Sequence, residues 1–281
     1  MSGPRGHKNV FTVHMPSSSA GSLILRACCP TGAVRAMPFE EGDFVLIDYT
    51  LRVKETGQVI DTTLEEVAKK TGLQQAGETF EPMLVVIGAG WVLEGLEKRL
   101  RDMDVGQEAT IELPPEEAYG PRDPEKVVRL LARRLSEKGV RLRVGERVRT
   151  ELIRELLPER LRSKISRPWG IIRAVGSGRV HVDFNHPLAG KTLIYEVAVR
   201  RKIEDPVEKV RALIHRRLPL VSAEGFEIEM GEKEVVIKVP EEAFYVEGIQ
   251  LVKRGVANDV MRFFPGVELV RFVEEFKKPP A

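Results

Sequence analysis

The stretch Val85-Val86-Ile87-Gly88-Ala89-Gly90-Trp91-Val92-Leu93-Glu94-Gly95-Leu96 decides the reading of this chain. A β-rich apolar run ends in a glycine turn and restarts as a short amphipathic helix. The helix is expected over residues 93–103, where Leu93, Leu96, Leu100 and Met103 share one face. Working outward, Met83–Ile87 is the strand before the turn. Val45, Ile47, Tyr49, Leu51 and Val53 alternate with Leu46, Asp48, Thr50 and Arg52, the period of a half-buried strand. Glu55-Thr56-Gly57-Gln58 reads as a hairpin turn, and Val59–Thr63 as the returning strand. Residues 64–81 form a polar bulge of helical tendency. Glu108–Leu113 is a further strand stopped by Pro114-Pro115, and Thr192–Arg200 alternates as the last strand of the same sheet.

A chain of 281 residues is long enough for two or three domains, each with a core. The net charge of +2 conceals an uneven distribution. Residues 39–121 carry 7 basic and 18 acidic side chains, and residues 122–177 carry 16 and 7. The body is therefore acidic and a central block is basic, a pattern that attracts nucleic acid or acidic polypeptides, or that simply solvates a surface. The only two cysteines, Cys28 and Cys29, are adjacent, which disfavours a disulfide and suits a reducing cytoplasm. No apolar run approaches the roughly 18 residues of a membrane span, and residues 23–34 are broken by Arg26 and Pro30. Residues 1–38 have no acidic residue and no periodicity and are expected to be a disordered leader, with Met37 close to the natural start.

Between Tyr119 and Phe184 a separate module is expected. Residues 124–138 read as a helix, 144–157 as strands, 169–175 as a strand and 179–184 as the return. From Glu204 a third unit begins. Its pattern is a helix after Pro206, strands at 226–230 and 235–239, a helix over 249–264 and a strand over 267–276. That α-β-β-α-β order describes a small α+β domain whose sheet is short of cover.

Three blocks together resemble the FKBP-type peptidyl-prolyl isomerases, in particular the SlyD-like and long archaeal branch. They are the opening stretch, Glu117-Ala118-Tyr119-Gly120, and Asp183-Phe184-Asn185-His186-Pro187-Leu188-Ala189-Gly190. The resemblance covers roughly 39–202. It implies an α+β fold, an antiparallel half-barrel wrapped on a short helix. Residues 39–121 with 178–202 would be the catalytic domain, 122–177 an insert-in-flap chaperone domain, and 203–281 a C-terminal dimerisation domain. It implies a pocket in which Tyr49, Asp61 and Tyr119 are the catalytic polar groups. Ile60, Met83, Val92, Leu93, Leu96, Phe184 and Tyr195 would line it, and the Val92 N–H would bind a substrate carbonyl. Leu96, Met83 and Ile60 stand where many members carry aromatic residues, so the pocket is expected to be apolar but less aromatic.

The implied activity needs no metal, no cofactor and no covalent intermediate. Rotation about an Xaa-Pro bond is opposed by amide resonance worth roughly 18–20 kcal/mol, and a dry apolar cradle with a few fixed polar groups weakens that resonance. Implied partners are unfolded or nascent proline-containing chains, a second copy through the C-terminal domain, and a ribosome contact, with no membrane; the implied location is cytoplasmic. Two other classes stay open: a holdase whose pocket is vestigial, and an RNA-associated factor acting through the basic block. Arg133, Arg134, Arg141, Arg143, Arg147 and Arg149 suit either acidic clients or RNA. Leu152, Ile153, Leu156, Leu157 and Trp169 are either chaperone contacts or the module's own core. His186 before Pro187 reads as a turn residue rather than a ligand.

Overall fold

Alternation becomes burial in the first strand. In the computed structural model, which describes residues 39–74 and 79–276, β1 (Phe44–Val53) turns Val45, Ile47, Leu51 and Val53 into the core. It is followed by β2 (Val59–Thr62), α1 (Glu65–Thr71), β3 (Met83–Val86), α2 (Glu94–Arg101) and β4 (Glu108–Leu113). The leader, both cysteines and the last five residues lie outside the described residues.

The chain then leaves for a second sheet. Its elements are β5 (Val127–Leu131), α3 (Ala132–Glu137), β6 (Arg147–Arg149), α4 (Thr150–Ile153), α5 (Glu159–Arg162), β7 (Trp169–Gly176) and β8 (Arg179–Asp183). It comes back as β9 (Leu193–Ile203), which threads between β1 and β4. The first sheet has the order β2-β1-β9-β4 with β3 pairing β1, and every pair is antiparallel. α2 packs on one of its faces. Leu96 and Leu100 are sealed there against Val45, Ile47, Val85 and Leu113, each burial worth roughly 1.5–3 kcal/mol.

The second sheet corrects the sequence reading in three places. Its order is β5-β8-β7-β6. Residues 127–131, expected as helix, are a strand paired residue for residue with β8. Val127 and Val128 are β-branched and sit well on a pleated surface, and the helix is confined to α3. Residues 150–153, expected as strand, form α4, which brings Ile153 (fully buried) over the inner face of the sheet. Residues 179–183, expected to belong with the catalytic domain, pair only with β5 and β7 and so belong to the insert's sheet.

The third unit contains α6 (Pro206–Arg217), β10 (Glu227–Met230), β11 (Glu234–Val239), a short α7 (Glu241–Phe244), α8 (Ile249–Phe263) and β12 (Leu269–Glu274). α6 starts as its sequence dictates. Asp205 accepts a hydrogen bond from the Glu208 N–H, and Pro206 fills the first helical position. β11 is central, antiparallel to β10 and parallel to β12. Its Val235 and Ile237 are buried with Val210 and Leu213 of α6 and Val256 and Val260 of α8. The same core takes in Phe44, Leu84 and Val86 from the outer face of β1 and β3. Phe44 meets Phe263 edge-on, with ring centroids 5.6 Å apart. The third unit is therefore cemented to the back of the first sheet.

Candidate functional site

The two strands of the first hairpin set the site's polar end. Tyr49 lies on β1 and Asp61 on β2, and the Tyr49 hydroxyl donates to Asp61 Oδ2 at 2.6 Å. Asp61 is held in turn by the Thr62 N–H, which donates to its Oδ1 at 2.9 Å. Burial, reinforced by the hydrogen bond to Asp61, pushes the Tyr49 phenol far above its usual range. Tyr195 on β9 is nearly sealed (7% exposed), with its ring centroid 5.9 Å from that of Tyr49. Burial, then the neighbouring Tyr119 and Asp61, raise its phenol as well. Both hydroxyls stay protonated at every physiological pH and can only act as hydrogen-bonding groups, not as bases.

The glycine turn before α2 sets the apolar end. Gly88 and Gly90 both adopt positive φ, at 83° and 70°, which a side chain would resist. The turn is pinned from inside the helix. Glu97, buried on α2, accepts from the Gly88 N–H at 2.5 Å and the Gly90 N–H at 3.3 Å. This places Val92 and Leu93 at the helix entrance. There they pack, half-buried, on the core that contains Leu96 and Tyr195, together with Ile60, Met83 and Tyr49. The Val92 N–H donates to no group among the described residues.

Tyr119 arrives from the other side. Pro114-Pro115 ends β4 and starts a 3-10 turn over Pro115–Glu117. The Gly120 N–H closes it onto the Pro115 carbonyl at 2.7 Å, leaving the Tyr119 ring exposed at the rim. That ring is stacked face to face on the His186 imidazole, centroids 3.9 Å apart and 8° from parallel. His186 Nδ1 accepts from the Leu188 N–H at 3.2 Å. Burial, then the nearby Arg167, holds the imidazole below its usual pKa, so it is neutral at neutral pH. Just before it, Asn185 accepts from the Asp123 N–H and donates to the Asp123 carbonyl, tying both strands of the insert's base together. Asp183 alongside is buried and accepts from Arg122 at 2.7 Å and Arg173 at 3.3 Å.

Seven of the ten expected site residues belong to or pack on one apolar cluster, Leu96 and Tyr195 within it and Tyr49, Ile60, Met83, Val92 and Leu93 against it. Tyr49, Asp61, Tyr119 and Tyr195 bear electrostatically on one another, and Ile60, Met83, Val92, Leu93 and Leu96 pack on the same apolar cluster. Phe184 does not join them. It is buried in the insert's own core, with its ring lying over Gly170, where an added Cβ would sit 2.8 Å from it. Residue 184 directly follows β8, and the pleat turns its side chain inward. Sequence reasoning took His186 as a turn residue without placing it beside Tyr119, and it passed over Glu97. A histidine beside a proline and a glutamate inside a helix carry no local signal, and only the fold brings them to Tyr119 and the glycine turn. Asp61 and Met83 also edge a cleft of about 310 Å³ closed by Ala212, His215 and Arg216 of α6, where His215 pairs with Glu81. Ile153 and Leu157 are core residues of the insert, whereas Leu152 is exposed. Among the described residues no group of three or more His, Cys, Asp or Glu could hold a metal ion, and no helix is long and apolar enough to cross a membrane.

Comparison with known proteins matches three successive parts of the chain. Residues 36–131 match the FKBP-type peptidyl-prolyl cis-trans isomerase family, 161–188 the FKBP26 IF domain, and 206–277 the FKBP26 C-terminal domain. The chain is 35% identical over 161 residues to the short-type peptidyl-prolyl cis-trans isomerase of Methanocaldococcus jannaschii, covering 57% of this chain and 92% of that one. It is 31% identical over 172 residues to the FKBP-type peptidyl-prolyl cis-trans isomerase SlyD of Treponema pallidum, covering 61% and 82%. The FKBP-type 16 kDa isomerase of Escherichia coli is 27% identical over 155 residues, covering 55% and 87%.

Proposed function

The chain belongs to the FKBP-type peptidyl-prolyl cis-trans isomerases, and from that premise we propose that it turns Xaa-Pro bonds in unfolded or nascent polypeptides within the pocket between α2 and the first sheet. The observation that carries this is an apolar floor ringed by fixed hydrogen-bonding groups. Leu96 and Tyr195 are buried in one apolar cluster, Val92, Leu93, Ile60 and Met83 pack half-buried on it, and Tyr49, packed on the same cluster, donates to Asp61. A proline ring seated there loses the water around its carbonyl. The Val92 N–H takes up a neighbouring substrate carbonyl and the Tyr119 hydroxyl donates to the chain as it rotates. Stripped of water, the prolyl amide loses resonance, its nitrogen becomes more amine-like, and the bond twists. No proton needs to move, which fits two phenols held permanently protonated.

The insert and the third unit extend this to chaperone action in the cytoplasm. The insert raises the local concentration of a client beside the pocket. The third unit pairs two copies through its exposed apolar side chains Leu220, Tyr245, Leu251 and Phe276. Cis-to-trans relaxation of a short Xaa-Pro peptide tests the core of the reading. Wild type accelerates it, and the double variant Tyr119→Phe, Asp61→Ala loses most of that rate. A wild type that suppresses client aggregation but leaves the peptide's rate unchanged makes this a holdase on an isomerase scaffold. A double variant with full activity places the chemistry elsewhere.

A further inference from the structure

The insert's sheet is covered on one face only. Its inner face, including Val148, Ile172, Val180 and Val182, packs on Leu135 of α3 and Ile153 of α4. The register puts the opposite set of side chains on the outer face. Arg129 pairs with His181, Arg179 with Leu131, Arg147 with Ile171 and Arg149 with Trp169. Arg129, Arg147, Arg149 and Arg179 are all exposed, and none has a carboxylate within ion-pairing distance among the described residues. Asp183 lies among them but is buried and already holds Arg122 and Arg173. We propose that this face docks acidic stretches of the same polypeptide whose proline occupies the catalytic pocket, an inference that rests on the isomerase reading above.

Charge complementarity is the first argument. The catalytic body, with 7 basic and 18 acidic residues over 39–121, repels an acidic chain, while the insert, with 16 and 7 over 122–177, attracts one. The outer face is built from arginine, whose planar fork takes a carboxylate in two parallel hydrogen bonds. Continuity is the second argument. Arg167 donates to the Asn185 carbonyl at 2.5 Å, and the next residue, His186, carries the Tyr119 ring. A chain that passes Tyr119 is therefore already at the edge of the basic face. Four strands are about 14 Å across, so roughly four or five extended residues cross it. The third argument separates a polypeptide from RNA. Trp169, the aromatic ring of this face, has Arg147 at 4.5 Å and Arg167 at 4.2 Å from its ring centre. Two guanidinium groups already sit over this ring, whereas single-stranded nucleic acid is gripped by stacking bases on open aromatic faces.

The test uses the full chain and an Ala-Leu-Pro-Phe peptide extended at either end by five residues, either Asp and Glu, Ser and Gly, or Lys. At low salt the acidic extension is expected to raise kcat/KM about tenfold over the neutral one through KM, the effect of a few exposed charge pairs, and the lysine extension to lower it. The acidic-to-neutral ratio should fall to near one in 0.5 M salt and in the triple variant Arg129→Gln, Arg147→Gln, Arg149→Gln. Equal rates for the acidic and neutral peptides overturn the proposal, as does an acidic advantage that survives in the triple variant. If no peptide is isomerised, the isomerase reading fails instead, and anisotropy of the labelled acidic peptide still decides docking: binding lost in the triple variant supports it, and absence of binding at low salt overturns it. A single-stranded RNA 12-mer that binds more tightly than the acidic peptide at equal salt, and loses that binding in the triple variant, overturns it in favour of nucleic acid.

Discussion

Two sheets in this molecule leave one face open, and they treat it in opposite ways. On the C-terminal sheet the outward side chains neutralise one another: Lys238 pairs with Glu227 at 3.1 Å and Arg271 with Glu234 at 3.2 Å across adjacent strands. On the insert's sheet Arg129, Arg147, Arg149 and Arg179 stand exposed without such partners, and the buried Asp183 is spent on the base of the module. Both sheets solve the inner face alike, with helices laid over β-branched and leucine side chains. The difference lies wholly in the polar face. A face laced with its own ion pairs is complete, while a field of like charges is stable only in solvent or against an anion. The supports differ as well. The C-terminal sheet shares its core with the first sheet through Phe44, Leu84 and Val86, but the insert hangs on its own core and a polar base.

The sharpest way to break this contrast is to hollow the insert. Phe184→Ala should cost the insert about 3–5 kcal/mol, because its ring fills the space over Gly170. Trp169 emission followed in a Trp91→Phe chain during urea unfolding should show an early transition, while far-UV dichroism retains a later one. A single shared transition would mean that the insert does not unfold independently. Asp183→Asn should cost about 1–3 kcal/mol by leaving Arg122 and Arg173 with a neutral partner.

The wild-type insert should show the same dependence on pH. Burial alone would raise the Asp183 pKa, but hydrogen bonds from Asn185 and Arg122 outweigh it and hold it below the usual carboxylate range. A depressed folded-state pKa stabilises above the unfolded value of about 3.9 and is lost as pH falls through the folded one, so the early transition should move to lower urea below about pH 4. Asp183→Asn should remove that shift.

His186, where insert and pocket meet, comes next. His186→Ala should lower kcat/KM on a short peptide about three- to tenfold, the value of one aromatic stack. His186→Phe should restore most of it, and neither change should matter in a Tyr119→Leu background. The smallest effects discriminate the two open faces by sign. Lys238→Gln should lower stability slightly, and Arg149→Gln should leave it unchanged or raise it slightly. Paired chemical unfolding curves would resolve the two, and equal losses would say that the faces are alike.

Much of this was legible in the chain. The period-2 run of β1, the glycine turn before α2 and the proline stop after β4 are local signals, and they fall where the sequence put them. The side chains that pack on the first core from those elements were legible for the same reason, since β1 and α2 carry their side chains at fixed periods. Reading failed where pairing overrode propensity. The leucines of 127–135 fit a helix until β8 supplies a partner strand, and Phe184 belongs to the insert because β8 does.

The sequence by itself determined the elements of the first sheet, the apolar core beneath it and the basic character of the insert, because periodicity, turn chemistry and charge are written along the chain. Only the tertiary structure decided that Glu97 pins the glycine turn, that His186 backs Tyr119, and that the insert's arginines gather on one uncovered face. Those facts depend on which strands pair and in what register, and register is set by contacts between residues far apart in sequence.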